Sequence, residues 1–385
     1  MKFISRESVR TACYVVAWIA LADWVIGAAL RPGSTRTPDL QRYFEYGRSV
    51  EGKLTLMLAG LRGDKILNAG WLDERLLQQL PSAPEPGTDL LVAAYGQSFT
   101  MNAVNGAASI DKGMTLRPIG GPGAPASHSY WAYRMDAPLR KADVVVFGVL
   151  SSTVGQLAST SGLIWMFENP APFTFPRYRV VAGRLVEELP LIRSEAEFRA
   201  DFGARSPKWQ DFKRQLATSD KGYDAFTFSE SFTDASTVAR LIRRGWVAHR
   251  QSYDDGVYTP ERGFDADSDE LQTLKQLLRE MDKSTRSRGE RLIVLLLHTR
   301  GYADRLHAAL KETLDSAHIE YLSTHALFSA NDPSNFLPDG HYVPSANDAL
   351  SRALQHLVRR EGAIREAPAT EPTHSPLPTP THKTN

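Results

Sequence analysis

The stretch Leu90-Leu91-Val92-Ala93-Ala94-Tyr95-Gly96-Gln97-Ser98-Phe99-Thr100 decides the fold. Its first six residues form an uninterrupted apolar run, as in a strand buried on both faces of a parallel sheet. Gly96 permits a sharp turn. Ser98 then stands where a helix should begin, at the carboxyl edge of the sheet, where open α/β folds bind their ligands. The amides of that helix N-terminus favour a developing oxyanion. A serine here also reads as a simple helix cap.

Working outward, three more apolar runs repeat the pattern: Val144–Leu150, Leu292–Leu297 and the shorter Ile319–Leu322. Amphipathic segments at about 270–283, 303–316 and 345–360 read as helices between and after them. Buried strands alternating with helices predict a three-layer α/β sandwich around a central parallel sheet. The aromatic- and Arg-rich region at about 167–258 breaks the rhythm and reads as a large insertion over the sheet. Within it, Glu168-Asn169-Pro170 and Phe173–Tyr178 read either as a sugar-stacking surface or as aromatics packed in their own core. Pro81–Gly87 is a stiff linker between a helical stalk, 34–88, and the main domain, 89–362. The tail, 363–385, is rich in Pro and Thr with few apolar residues, which predicts disorder.

At the N-terminus, Lys2, Arg6 and Arg10 precede an apolar run from Ala12 to Leu30, interrupted only by Asp23. Its length suits a membrane-spanning helix, which needs about 20 residues, better than a signal-peptide core of about 7–15. Gly27-Ala28-Ala29 also fits a small-residue cleavage site, so residues 1–33 read as an anchor or a signal. Lys+Arg is 45 against 44 for Asp+Glu, with no basic stripe, which argues against nucleic acid. The single cysteine, Cys13, excludes an internal disulfide and a cysteine-built zinc site. No P-loop or metal-ligand spacing stands out, and no cofactor is expected.

The chemistry becomes specific when Ser98 is set beside Asn335-Phe336-Leu337-Pro338-Asp339-Gly340-His341-Tyr342, just before the last helix. His341 can take the serine proton, and Asp339 can fix the imidazole tautomer and stabilise its cation. Serine after the first strand, with Asp and His before the last helix, resembles the SGNH (GDSL-like) hydrolase superfamily. Gly96-Gln97-Ser98 matches its first block, with Gln97 in place of the usual Asp. The turn Gly120-Gly121-Pro122-Gly123-Ala124 falls where its second block supplies an oxyanion-hole amide, which assigns Gly123 that role beside the Ser98 amide. Gly148-Val149-Leu150-Ser151-Ser152 falls at its third block but lacks the family's Asn. Ser151, Ser152, Asn102 and Asn169 are candidate replacements. The last block is Asp-x-His rather than Asp-x-x-His, a spacing shared with the alginate-acetylation branch.

The resemblance spans roughly residues 89–360 and implies a serine esterase acting on acyl esters, without cofactor. Gln97, Gly148 and His298, which ends the third run, would line its pocket. Membrane-anchored members of this kind imply an inner-membrane protein with a periplasmic catalytic domain. Its substrate would be an acetylated exported polysaccharide, and polysaccharide-assembly proteins would be its partners. Two other functions fit the same sequence: an O-acyltransferase with the same triad, and an inactive polysaccharide-binding or assembly scaffold. His128 and His325 read as packed residues.

Overall fold

Three almost fully buried apolar runs and a fourth, half-buried one form parallel strands, in keeping with their composition. The computed structural model describes residues 6–29, 38–60, 70–73, 77–78, 80–253 and 256–360. The expected tail, 363–385, and the start of the expected stalk lie outside the described residues. In chain order the elements are α1 (Arg6–Ala29), α2 (Pro38–Glu45), α3 (Val50–Leu58), β1 (Leu90–Gly96), α4 (Ser98–Ile110), β2 (Met114–Gly120), α5 (Ala126–Asp136) and β3 (Val144–Leu150). An insertion follows, with hairpin β4 (Arg177–Val181) and β5 (Arg184–Glu188), helices α6 (Glu195–Gly203), α7 (Pro207–Ser219), α8 (Ala225–Phe228) and α9 (Thr237–Tyr253), and the small ladder β6 (Tyr258–Thr259) and β7 (Gly263–Phe264). The main domain resumes with α10 (Asp269–Arg288), β8 (Arg291–Leu297), α11 (Arg305–Ser316), β9 (Glu320–Ser323) and α12 (Pro344–Arg359).

The five-stranded sheet has the order β2-β1-β3-β8-β9, all pairs parallel. This is the doubly wound arrangement in which the chain reverses direction between β1 and β3, opening a crevice at their carboxyl ends. One face packs on α5, α10 and α11 through Tyr130, Tyr133, Leu274, Leu278 and Leu310. The other packs on α4 and α12 through Phe99, Ala103, Tyr342, Leu350 and Leu354. The expected three-layer α/β sandwich is therefore the observed fold.

The insertion adds no strand to this sheet and builds its own core from Phe173, Phe175, Phe198, Trp209 and Phe212. The expected stalk is not a separate element. Val50, Leu54 and Met57 of α3, with Trp71, are buried in that same insertion core. Leu77 instead joins the main core. The reason is composition: α3 carries too many apolar residues to stand as a spacer in water. Residues Val9–Ala29 of α1 form a helix long and apolar enough to cross a membrane.

Candidate active site

Ser98 opens α4 immediately after β1, with Gln97 rather than Ser98 in the cap position. Its hydroxyl is free of capping duty and meets His341: Ser98 Oγ lies 2.8 Å from His341 Nε2. The other ring nitrogen, Nδ1, lies 3.2 Å from Asp339 Oδ2. A carboxylate at Nδ1 holds the proton on that nitrogen and leaves Nε2 to accept from the serine.

Local structure explains how a two-residue spacing achieves this. Gly340 has φ +88°, and the turn closes with Gly340 N donating to Leu337 O at 2.9 Å. The left-handed residue folds Asp339 back, so that it also accepts the His341 amide at 3.1 Å. That amide bond, with the neighbouring imidazole, holds the Asp339 carboxyl below its usual range. Asp339 remains largely exposed, at 65% of its side-chain surface, whereas His341 is at 33%. The imidazole stacks on Phe99, with centroids 4.8 Å apart and planes at 18°. Next to it, buried Tyr342 donates to His298 O at 2.8 Å, tying the loop to the end of β8.

A glycine slot fixes the nucleophile's turn. A Cβ on Gly96 or Gly148 would stand 2.3 or 1.8 Å from Thr100 Oγ1. Both positions must stay bare for Thr100 to pack over the ends of β1 and β3. From that slot Thr100 donates to Gln97 Oε1 at 2.9 Å.

The three residues expected to line a pocket are placed differently. Gln97 is 1% exposed and sits beneath the helix turn. Gly148 is buried against Thr100. His298 is fully buried, its Nδ1 on Thr324 Oγ1 at 3.2 Å and its Nε2 accepting the His307 amide at 3.3 Å. These residues support the site from behind because the strand ends are roofed by α4 and by the loop before α12. Ser151 also differs from expectation. Its Oγ accepts the Thr299 amide at 2.9 Å and pairs with Thr299 Oγ1 at 3.0 Å, so the hydroxyl is engaged between β3 and the loop after β8. Gly123 adopts φ +64° in the turn before α5, against Met166 of the insertion.

Ser152, Asn102 and Asn169 are exposed, whereas the aromatic segment and the other histidines singled out are structural. Phe173, Phe175 and Tyr178 are buried in cores and offer no stacking surface, while Glu168 pairs with Arg244 at 2.7 Å. His128 is buried among Phe173 and Phe175, with Nε2 on Gly70 O. His325 packs on His298 and His307. The insertion holds cavities of about 260 and 670 Å³, neither lined by Ser98, Asp339 or His341.

Burial pushes His128 and His298 down to about 4, and the neighbouring His325 and His307 add to the effect on His298. Unfolded, both would titrate near 6.5. Between these values the unfolded chain binds protons that the folded chain refuses. The stability contributed by neutral burial is therefore complete above pH 6.5 and lost as pH falls toward 4. Unfolding free energies from urea titrations should fall across that window, at up to ~1.4 kcal/mol per pH unit per histidine. His298→Asn should make the slope shallower, whatever it does to baseline stability. An unaltered slope would show that His298 is not held neutral.

No family model and no curated protein matches the chain. Several solved structures do. One, assigned as an acylhydrolase from Bacteroides fragilis, is 10% identical, with a TM-score of 0.37 over 74% of this chain and 92% of that one. A second, assigned as a lipolytic protein of the G-D-S-L family from Desulfitobacterium hafniense, is 9% identical, with a TM-score of 0.34 over 70% and 99%. An acetylxylan esterase from Geobacillus stearothermophilus, solved as a catalytic mutant, is 10% identical, with a TM-score of 0.34 over 71% and 96%.

Proposed function

We propose that this chain is a membrane-anchored serine esterase of the SGNH type, acting on O-acetyl groups of an exported polysaccharide from the periplasmic face of the inner membrane. The observation that carries the reading is the Ser98–His341 hydrogen bond of 2.8 Å, backed by Asp339 on the far ring nitrogen. Ser98 Oγ attacks the acyl carbonyl carbon while His341 Nε2 takes its proton. The oxyanion that forms is met by the amides of Ser98 and Gly123. The ester C–O bond then breaks, and His341 returns the proton to the departing sugar oxygen. Water repeats the sequence on the acyl-serine, releasing the acid and restoring Ser98. With a second sugar hydroxyl in place of water, the same steps make an acyltransferase.

One observation favours the scaffold alternative: the third block lacks its Asn, and the Ser151 hydroxyl is already engaged with Thr299. Absence of one oxyanion donor costs about 10²–10³ in rate. A fluorophosphonate probe decides between the readings, because it labels only a serine with a neighbouring base and an oxyanion site. The full chain should be labelled, with the modification on the peptide containing Ser98. An unlabelled, folded wild-type protein would favour the scaffold.

A further inference from the structure

Helix α9 is inside out for a protein in water. On the face turned inward stand Arg240, Arg243, Arg244 and Arg250, all buried or half-buried. Arg243 is fully buried and pairs with Asp234 at 2.6 Å. Arg244 pairs with Glu168 at 2.7 Å, Arg250 with Asp224 at 3.4 Å, and Arg240 with Glu45. On the opposite face Leu241, Ile242 and Trp246 are 44%, 60% and 46% exposed, with Gly245 and the exposed His249 between them and Ala248 beside Leu241. At 100° per residue these outward positions fall in one continuous stripe along the helix. Phe232, in the turn that leads into α9, is 90% exposed. Amphipathic helices of soluble domains carry the reverse arrangement.

A second anomaly meets the first. Asp23, the charge within the apolar run of α1, accepts at the N-terminus of α9: from the Val238 amide at 2.8 Å, Thr237 Oγ1 at 2.8 Å and Ser236 Oγ at 3.0 Å. A carboxylate within a membrane-spanning segment is costly unless satisfied, and here it caps the positive end of a neighbouring helix. The helices α1 and α9 pack together at this contact. Asp23 lies 6 residues before the end of the span at Ala29. At 1.5 Å rise per residue that is about 9 Å inside the end of the span. Interfacial helices seat their apolar face about 5–10 Å into the headgroup–acyl boundary. The latch thus holds the N-terminus of α9 near that depth, and Trp246, further along the outward face, is a residue type suited to the interface.

We propose that α9 is an interfacial helix whose Leu241–Ile242–Trp246 stripe is seated in the bilayer, so that the insertion, and not only α1, docks the protein on lipid. This rests on the reading of α1 as a membrane anchor. The occupant is lipid rather than a second copy because the helix that bears the stripe is held at its N-terminus, through Asp23, against the spanning helix.

The test uses the full chain carrying Cys13→Ser, which leaves no other cysteine. It is reconstituted in phosphatidylethanolamine–phosphatidylglycerol vesicles. Spin labels are placed singly through Val16→Cys in α1, Ile242→Cys in α9, and Val181→Cys at the exposed tip of the β4–β5 hairpin. Collisions with dissolved oxygen and with a nickel chelate are compared. The ratio of oxygen to nickel collisions at 16 and 242 should exceed that at 181 severalfold. If 16 is lipid-exposed while 242 matches 181, the α9 proposal is overturned and the anchor stands. A label at 242 shielded from both reagents would mean that protein covers the stripe, and would overturn it equally. If 16 itself is water-accessible, the anchor reading fails and takes the proposal with it.

Discussion

Ser98→Ala and His341→Ala should each lower kcat/KM for acetyl-ester hydrolysis by about 10⁴-fold or more, and the double variant should fall little further. The non-additivity follows from the geometry. With Ser98 Oγ at 2.8 Å from Nε2, neither group has a role without the other. Asp339→Asn should behave differently. Asp339 is 65% exposed, so water can replace part of what its carboxylate supplies to Nδ1. Its loss should cost less than the ~10⁴ that follows from replacing a buried orienting carboxylate. The same variant also keeps an oxygen that can accept the His341 amide, so loop geometry should survive. Steady-state kinetics on a small acetyl ester, with each variant checked for folding, read all four. If folded Ser98→Ala hydrolyses the ester as fast as wild type, Ser98 is not the nucleophile, whatever its distance from His341.

Much of this arrangement was legible because burial leaves a strong imprint on strands. Val144–Leu150 and Leu292–Leu297 are apolar at every position, as only a strand covered on both faces can be, and both appear in the sheet. Strand β2, Met114–Gly120, was not legible. It carries Arg117 and Pro118, and Pro argues against a central strand. The structure places it at the sheet edge, where a missing ladder donor is tolerated, and pairs the arginine inside. The site shows the same division. Ser98, Asp339 and His341 could be read because their order and neighbours are chemically specific. Phe99, which stacks on His341, and Thr100, which needs two bare glycines on different strands, could not. Their roles arise from pairings between residues far apart in the chain. Similarly, His298 at a strand end gave no sign in sequence that a loop from before α12 would seal it in.

Asp136→Ala should destabilise the protein by about 3–5 kcal/mol, the cost of removing one partner of a buried ion pair. Asp136 is fully buried and Arg117 is 1% exposed, with Arg117 Nε donating to Asp136 Oδ2 at 2.8 Å. Arg140 also approaches the carboxylate, at 2.6 Å. Tyr95 donates its hydroxyl to the same carboxylate at 2.5 Å. Burial, then the Asp136 charge, pushes the Tyr95 phenol well above its ordinary range and keeps it a donor. One carboxylate therefore joins β1, β2 and α5 three residues before the nucleophile. Its removal leaves Arg117 with only the carbonyls it already meets, Pro81 O and Lys141 O, and takes the carboxylate from Arg140 as well. Arg117→Met should cost less, because Asp136 keeps Arg140 and Tyr95. Arg117→Met and Arg140→Met combined with Asp136→Leu should recover part of the loss, since matched apolar groups can replace a buried ion cluster. Urea denaturation would show a lowered midpoint at unchanged slope for each variant. A triple variant less stable than Asp136→Ala would mean that the cluster supplies specific geometry to this edge of the sheet, and not only charge compensation.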